Sequence, residues 1–537
     1  VKRLIPININ DWRVEDEQFW NSEGKKIAYR NLAISIPALL LAFAVWMMWS
    51  IIAAKMKEYG YNFGMITDGM SPDQITEKLK EINTLYYTLP AIAGLAGATL
   101  RIPNSFLISL GGGRNVIFIT TTLLLIPVIG TAIALQDVNT SYLTFAVFAA
   151  FSGIGGGNFA SSMSNISYFF PKKVQGTSLG LNAGIGNLGV GVMQIAIPWV
   201  TGIFLFGAVN HAGEIVSNEG LAGIQNAGWI WVPFLTLSAI AAYFGMNNVI
   251  TGTPILPGTL QGIAKSLYLV LLGFIATTIG AILLVGVDLN MWIVLPLVII
   301  VTLALMKYTT PSETRSNLNK QFAIFNNKHN WIMTVIYTMT FGSFIGFSAA
   351  FPKLSQDIFV YSNEADPSYI NPNAPDFLFW VFIGPMLGAL IRPVGGWLSD
   401  KLNSGAKVTG YITVVQIIAA LFVAYFIIQA KASPTPEDYW IPFFTGFMIL
   451  FLTTGIGNGS TFRSIPNIFS KEQAGPVLGW TSAIAAYGAF IIPKVFGQQI
   501  ENGTPEYAMY GFALYYIGCL FLNWWYYTRK NAEIKNP

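Results

Sequence analysis

Fourteen apolar runs dominate this sequence, near residues 31–54, 85–109, 115–135, 142–170, 176–206, 228–248, 266–287, 291–307, 331–352, 377–399, 408–430, 440–465, 475–496 and 507–528. Each has the roughly 17–25 residues that a helix needs to cross the hydrocarbon core of a bilayer. Their helical periodicity is poor, as expected of helices that are apolar on most faces. Of the 537 residues, 53% are hydrophobic and 10% charged, against about 25% charged in a soluble domain. A water-facing surface cannot be assembled from that composition, so the chain reads as an all-α polytopic membrane protein with the lipid bilayer as its surroundings. Cys519 is the single cysteine, which excludes an intrachain disulfide and a cysteine metal cluster. With only His211 and His329 as imidazoles, no metal site is expected, nor any cofactor or nucleic-acid partner. Residues 1–30 form a polar arm with six Lys/Arg and lack the pattern of a cleaved signal peptide.

Basic residues set the orientation. With the N-terminus taken as cytoplasmic, twenty of the 30 Lys and Arg residues fall on the cytoplasmic side. Seven, Lys55, Lys57, Lys78, Lys80, Lys353, Lys431 and Lys494, fall on the opposite side, and Arg101, Arg392 and Arg463 lie within apolar segments. Both termini are expected to be cytoplasmic. An internal repeat organises the spans. Gly97-Ala-Thr-Leu-Arg101 matches Gly388-Ala-Leu-Ile-Arg392, and Gly153-Ile-Gly-Gly-Gly157 matches Gly455-Ile-Gly-Asn-Gly459. Phe170, Gly176, Gly180 and Gly189 recur 299 residues later as Phe469, Gly475, Gly479 and Gly488. Four positions at one offset outweigh chance, even in a chain with 52 glycines. The repeat predicts a six-helix bundle over 31–250, another over 331–528, and a cytoplasmic tail at 529–537. Two further runs within 251–330 read as an extra transmembrane hairpin closed by Asp288-Leu-Asn290, the alternative being an interfacial linker. An even insertion leaves the second half oriented like the first.

Charged side chains in mid-membrane are costly and usually functional. Arg101 and Arg392 hold matching positions of the repeats, so a pseudo-two-fold axis would set them facing one another across a central cavity. The alternative is a pair of structural arginines bonded to backbone carbonyls; these would need carboxylate partners, and none of the fourteen runs as bounded contains Asp or Glu. Two guanidiniums roughly 8 Å apart repel by about 2 kcal/mol at an effective dielectric near 20. A small anion between them removes that penalty and gains forked, charge-assisted hydrogen bonds. Arginine keeps its charge, and no intramembrane histidine or carboxylate relay stands out, so the pattern favours exchange of one anion for another. Gly157, Gly184, Gly459 and Gly488 read as hinge or close-packing positions. Asn158, Asn165, Asn182 and Asn187 are interleaved with these glycines and need hydrogen-bond partners. Asn182 and Asn187 reach either the cavity of Arg101 or partners on neighbouring helices. Phe159, Tyr337 and Phe341 could wall the anion site, with core packing the alternative for each phenylalanine.

A parallel six-plus-six repeat is the layout of the major facilitator superfamily. Gly396-Trp-Leu-Ser-Asp400-Lys401, followed by Gly405 and Lys407, resembles the loop signature of that superfamily, while its first-half counterpart, Gly111-Gly-Gly-Arg114, is degenerate. A salt-bridged Asp400 at a helix end would then be a gate latch. Longer stretches are more specific. Gly155-Gly-Gly-Asn158-Phe-Ala-Ser-Ser-Met-Ser-Asn165-Ile-Ser-Tyr-Phe-Phe-Pro-Lys172 and Gly180-Leu-Asn182-Ala-Gly-Ile-Gly-Asn187-Leu-Gly189 resemble the signatures of the nitrate/nitrite porter family. So do Asp11-Trp-Arg, the run from Tyr337 through Phe341 to Ser348, and Ile491-Ile-Pro-Lys494-Val-Phe-Gly. The resemblance implies a transporter that moves nitrate inward and nitrite outward across a bacterial cytoplasmic membrane, in nitrate respiration or assimilation, and a monomer is expected. It also implies that the arginines at 101 and 392 sandwich the planar anion while Phe159, Asn187, Tyr337 and Phe341 complete the pocket. Proton-coupled nitrate symport, also found in the family, is the alternative coupling. An anion channel fits a closed two-arginine site poorly, and an enzyme is not expected, since no segment offers a nucleophile–base pair or paired carboxylates. Two departures stand out: Ala183 and Ala485 replace glycines common in the family, and twelve-helix members lack the extra hairpin.

Overall fold

A computed structural model describes residues 6–537 except 68, 204–207, 210–214, 217–222, 252–255, 288, 313–314, 317–318, 320–321, 362–368 and 470. His211 and Asp288 therefore lie outside the described residues, as do the side chains at 172–173, 175–177, 208–209, 215–216, 285, 466 and 471–476. The first half contains α1 (Lys25–Met47), α2 (Trp49–Glu58), α3 (Pro72–Gly111), α4 (Gly113–Leu123), α5 (Leu125–Ala134), α6 (Tyr142–Ser167), α7 (Lys172–Thr201) and α8 (Trp231–Gly245). Between the halves run α9 (Thr259–Ala281) and α10 (Met291–Thr309). The second half follows with α11 (Lys328–Tyr337), a π-helical turn at Thr338–Gly342, α12 (Ser343–Phe359), α13 (Ile383–Leu390), α14 (Arg392–Lys401), α15 (Gly405–Ala432), α16 (Trp440–Ile468), α17 (Lys471–Ala486), α18 (Gly488–Glu501) and α19 (Pro505–Asn523).

Local signals start several of these helices. Ser71 accepts from the Gln74 amide while Gln74 bonds back to the Ser71 amide, and Pro72 supplies the first helical residue of α3. Asn290 caps α10, Asn327 caps α11 and Ser404 caps α15. With 40 residues, α3 is about 60 Å long, twice the thickness of a bilayer core. The polar arm is docked. Asn8–Ile9 pairs in parallel with Asn248–Val249, and the Trp12 indole donates to the Tyr168 carbonyl.

Twelve helical stretches among the described residues are long and apolar enough to cross a membrane. Both members of the expected hairpin are among them, as Thr259–Leu284 and Met291–Thr309. They pack on one another and on α3, where Gly273 lets α9 approach Leu100 and Pro103. The last two of the fourteen runs form α17–α18, broken at Tyr487, and α19; neither is among the twelve. Glu506 and the tyrosines at 507, 510, 515 and 516 dilute the apolar character of α19. Cys519 is buried on that helix. Large apolar side chains such as Leu260 and Leu514 stand 82% and 70% exposed, as lipid-facing positions require.

The sequence repeat reappears as repeated helix crossings. A Cβ on Gly153 would run into the Gly97 backbone, where α6 crosses α3, and one on Gly455 would run into the Gly388 carbonyl, where α16 crosses α13. Likewise Gly189 of α7 presses on the Leu40 carbonyl of α1, and Gly488 of α18 on the Gly342 carbonyl of the π turn. Close approach of this kind is what glycine permits between membrane helices.

Candidate functional site

Each arginine lies one helical turn beyond a glycine crossing. Gly97 and Gly156 leave a slot filled by the Trp46 indole, which donates to the Ala93 carbonyl at 2.8 Å. Arg101 follows, fully buried, with Nε donating to the Gly156 carbonyl (3.0 Å) and Nη1 to the Ser482 carbonyl (3.3 Å). Its guanidinium carbon sits 4.8 Å from the Phe159 ring centroid, 5.3 Å from Phe341 and 5.5 Å from Trp46. Arg392 opens α14 where Gly459 of α16 presses on its carbonyl. It is 8% exposed, with its guanidinium carbon 4.6 Å from the Phe344 ring and 5.8 Å from Phe341.

Both guanidiniums thus bear on one ring. Phe341 lies in the π turn, a geometry frequent at functional sites. It stacks on Tyr337 at 5.7 Å and 10°, and on Phe159 at 6.4 Å and 24°. Nη2 of Arg101 and both Nε and Nη2 of Arg392 are buried without a hydrogen-bond partner. Neither arginine pairs with a carboxylate among the described residues. Aromatic faces stabilise a cation through the ring quadrupole, yet offer no lone pair to its N–H groups. The box therefore holds two positive charges and leaves three of their nitrogens without an acceptor, each buried orphan donor costing about 1–3 kcal/mol. Unmet donors on two buried cations suit a small planar acceptor of single negative charge.

Other expected residues are placed differently. Asn187 gives its amide nitrogen to the Ala183 carbonyl at 2.7 Å and keeps a buried, unpartnered Oδ1. Asn182 bonds Ser162 (2.9 Å) and the Met163 sulfur (3.5 Å) on α6, so its nitrogen follows the structural alternative. Among the described residues, neither amide hydrogen-bonds to an arginine. Gly157 faces the Asn104 side chain, and Gly459 and Gly488 face backbone, so all three are close-packing positions in this conformation; Gly184 alone of the four has open space beside it. Asp400 forms its ion pair with Arg463 at 2.9 Å. That pair ties α14 to α16 within the second repeat, so in this conformation it latches no boundary between repeats.

Reading the chain as free of acids in its spans needs correction. Pro352 and Lys353 do not end the ninth run: α12 continues to Phe359 and carries a buried Lys353 and a buried Asp357. Lys353 is thus no outer-loop residue. Asp357 lies 16 residues beyond Phe341, about 24 Å along the helix, so it does not neutralise the arginines. Trp46 and Phe344 were also missed as site residues. The glycine slot that admits Trp46 is visible only once two helices are brought together.

No protein-family model matches the chain. Among curated proteins, the nitrate/nitrite transporter NarU of Escherichia coli strain K12 is 34% identical, over 98% of this chain and 97% of its own length. The probable nitrate/nitrite antiporter NarK2 of Thermus thermophilus is also 34% identical, with the same coverage of both chains. Among solved structures, the xylose transporter XylE from E. coli, in a partially occluded inward-open conformation, aligns with a TM-score of 0.55 at 12% identity, over 93% of this chain and 97% of its own. A peptide transporter in complex with sulfate aligns with a TM-score of 0.54 at 14% identity, over 93% of this chain and 96% of its own. These structures speak for the fold alone.

Proposed function

The chain belongs to the nitrate/nitrite transporter family of the major facilitator superfamily, and from that premise we propose that it exchanges nitrate for nitrite at the Arg101–Arg392 site by alternating access. It is a multi-pass membrane transporter and not an enzyme. One observation carries the site assignment: two buried guanidiniums bear on a single ring, with three nitrogens lacking an acceptor and, among the described residues, no carboxylate paired with either. Nitrate and nitrite are flat, singly charged and accept hydrogen bonds in their own plane, which suits forked donors beside stacked rings. Tyr337 and Phe159 flank that ring, and Asn187 offers a remaining amide hydrogen. The proposal includes bundles at 31–250 and 331–528, a hairpin in 251–330, α17–α18 and α19 as the last two spans, and both termini in the cytoplasm. The skew of basic residues supports that orientation.

Exchange follows from the same donors. An empty site keeps two unscreened cations apart from water, which opposes the crossing, whereas an occupied site is neutralised. In proteoliposomes, nitrate uptake should require nitrate or nitrite inside and should not follow an imposed pH gradient. Uptake into anion-free vesicles driven by a proton gradient would instead establish symport.

A further inference from the structure

The helices that carry the arginine site hold a second charged cluster at their other end. Tyr87 lies on α3, 14 residues before Arg101, which is about 21 Å along the helix. Asn83 is one turn further out; Lys57 lies near the end of α2, and Lys353 and Asp357 are one turn apart on α12. Both ammonium groups donate to Asp357 Oδ1, Lys57 at 2.8 Å and Lys353 at 2.5 Å. Both also donate to Asn83 Oδ1, at 3.0 and 2.9 Å. The Tyr87 hydroxyl donates to Asp357 Oδ2 at 2.5 Å. Lys57 further lies 4.0 Å from the Tyr361 ring centroid. The side chains of Lys353 and Asp357 are 0% and 4% exposed, that of Lys57 16%. Two lysine side chains share one carboxylate, and the three groups lie largely out of water.

A carboxylate resembles nitrate and nitrite in what recognition reads: planar, singly charged, and delocalised over coplanar oxygens. We propose that this cluster is a second, outer anion station, with the Asp357 carboxylate as its tethered occupant here, and that the transported anion takes its place at Lys57 and Tyr87 when the outer mouth opens. The inference rests on the anion-exchange reading of the arginine site. Lys353 and Asp357 share a helix at i and i+4, so they stay paired when α12 moves away from α2 and α3. Lys57, Asn83 and Tyr87 remain on the other side. Parting therefore exposes an uncompensated ammonium beside a neutral amide and a phenol, at the place where an anion enters. In the closed arrangement the same donors hold the two sides together, with Gln356 adding a bond to the Ala54 carbonyl at 2.9 Å and Gly497 packed on Tyr87.

Nitrate exchange is to be measured in right-side-out and in inside-out vesicles for the wild type, Lys57→Gln, Lys57→Arg, Tyr87→Phe and Asp357→Asn. Loss of the Lys57 charge should raise the KM for external nitrate about tenfold or more and leave the cytoplasmic KM unchanged. Lys57→Arg should restore the external value. Asp357→Asn, which removes the tethered competitor, should lower the external KM. Should Lys57→Gln not accumulate in the membrane, Tyr87→Phe removes one donor and must shift the external KM upward. An external KM unmoved by these changes, or shifted equally on both faces, overturns the station alone. A wild type that exchanges no nitrate overturns the parent reading.

Discussion

A guanidinium boxed by aromatic rings keeps its charge and most of its hydrogen-bonding directions, and here that holds for Arg392 more than for Arg101. Arg101 is pinned by carbonyls of α6 and α17, while Arg392 has two orphan nitrogens beside the Phe341 and Phe344 rings. Arg101→Lys and Arg392→Lys should each reduce nitrate exchange to near background while the protein still elutes as a folded species in size-exclusion chromatography. A lysine offers one ammonium in place of the planar fork, so near-normal exchange by both variants would refute the site. Most of this box was legible beforehand. The repeat singled out the two arginines, and the family-like stretch carried Tyr337 and Phe341. Trp46 gave no such signal, being one apolar residue among many, and Phe344, although inside that stretch, was not distinguished from its other phenylalanines. Their roles come from glycine slots on other helices, Gly97 and Gly156 for the first and Gly388 for the second.

At the scale of helices, glycines divide into those that a neighbour needs and those that it does not. Gly488→Ala would drive a methyl group into the Gly342 carbonyl beneath the π turn, and overpacking of this kind typically costs about 1–3 kcal/mol. Gly184→Ala meets nothing within 4 Å and should gain up to about 1 kcal/mol from helix propensity. Thermal melting in detergent should therefore separate the two, with Gly488→Ala melting lower than the wild type and Gly184→Ala no lower. Sequence alone set all four hinge candidates on one footing, since a glycine does not announce what lies opposite it. Helix ends were missed for a similar reason. Pro352 and Lys353 look like punctuation, yet α12 runs past them because Asp357, Asn83 and Tyr87 satisfy the buried ammonium of Lys353.

Across the whole molecule, the inserted hairpin lies against the helix that bears Arg101 through Gly273 at Leu100, and against α6 through the Phe151–Phe274 ring contact at 4.9 Å. Met306 of the hairpin also clusters with Ile102 and with Ala483 of α17. Excising 259–309 removes two helices, so tags on both termini should stay on the same face of the membrane. The melting temperature should fall, because the groove on α3 loses its cover. Termini on opposite faces would show that this region does not cross twice. The repeat made the hairpin visible as an interruption, whereas its packing partner could not be read from the chain. The buried Cys519, finally, gives this sequence an unlabelled background. A shielded thiol of this kind reacts poorly with maleimides and methanethiosulfonates. A cysteine introduced at either mouth would then report alone, and the opening of each face could be followed without first stripping the chain of its own sulfhydryl.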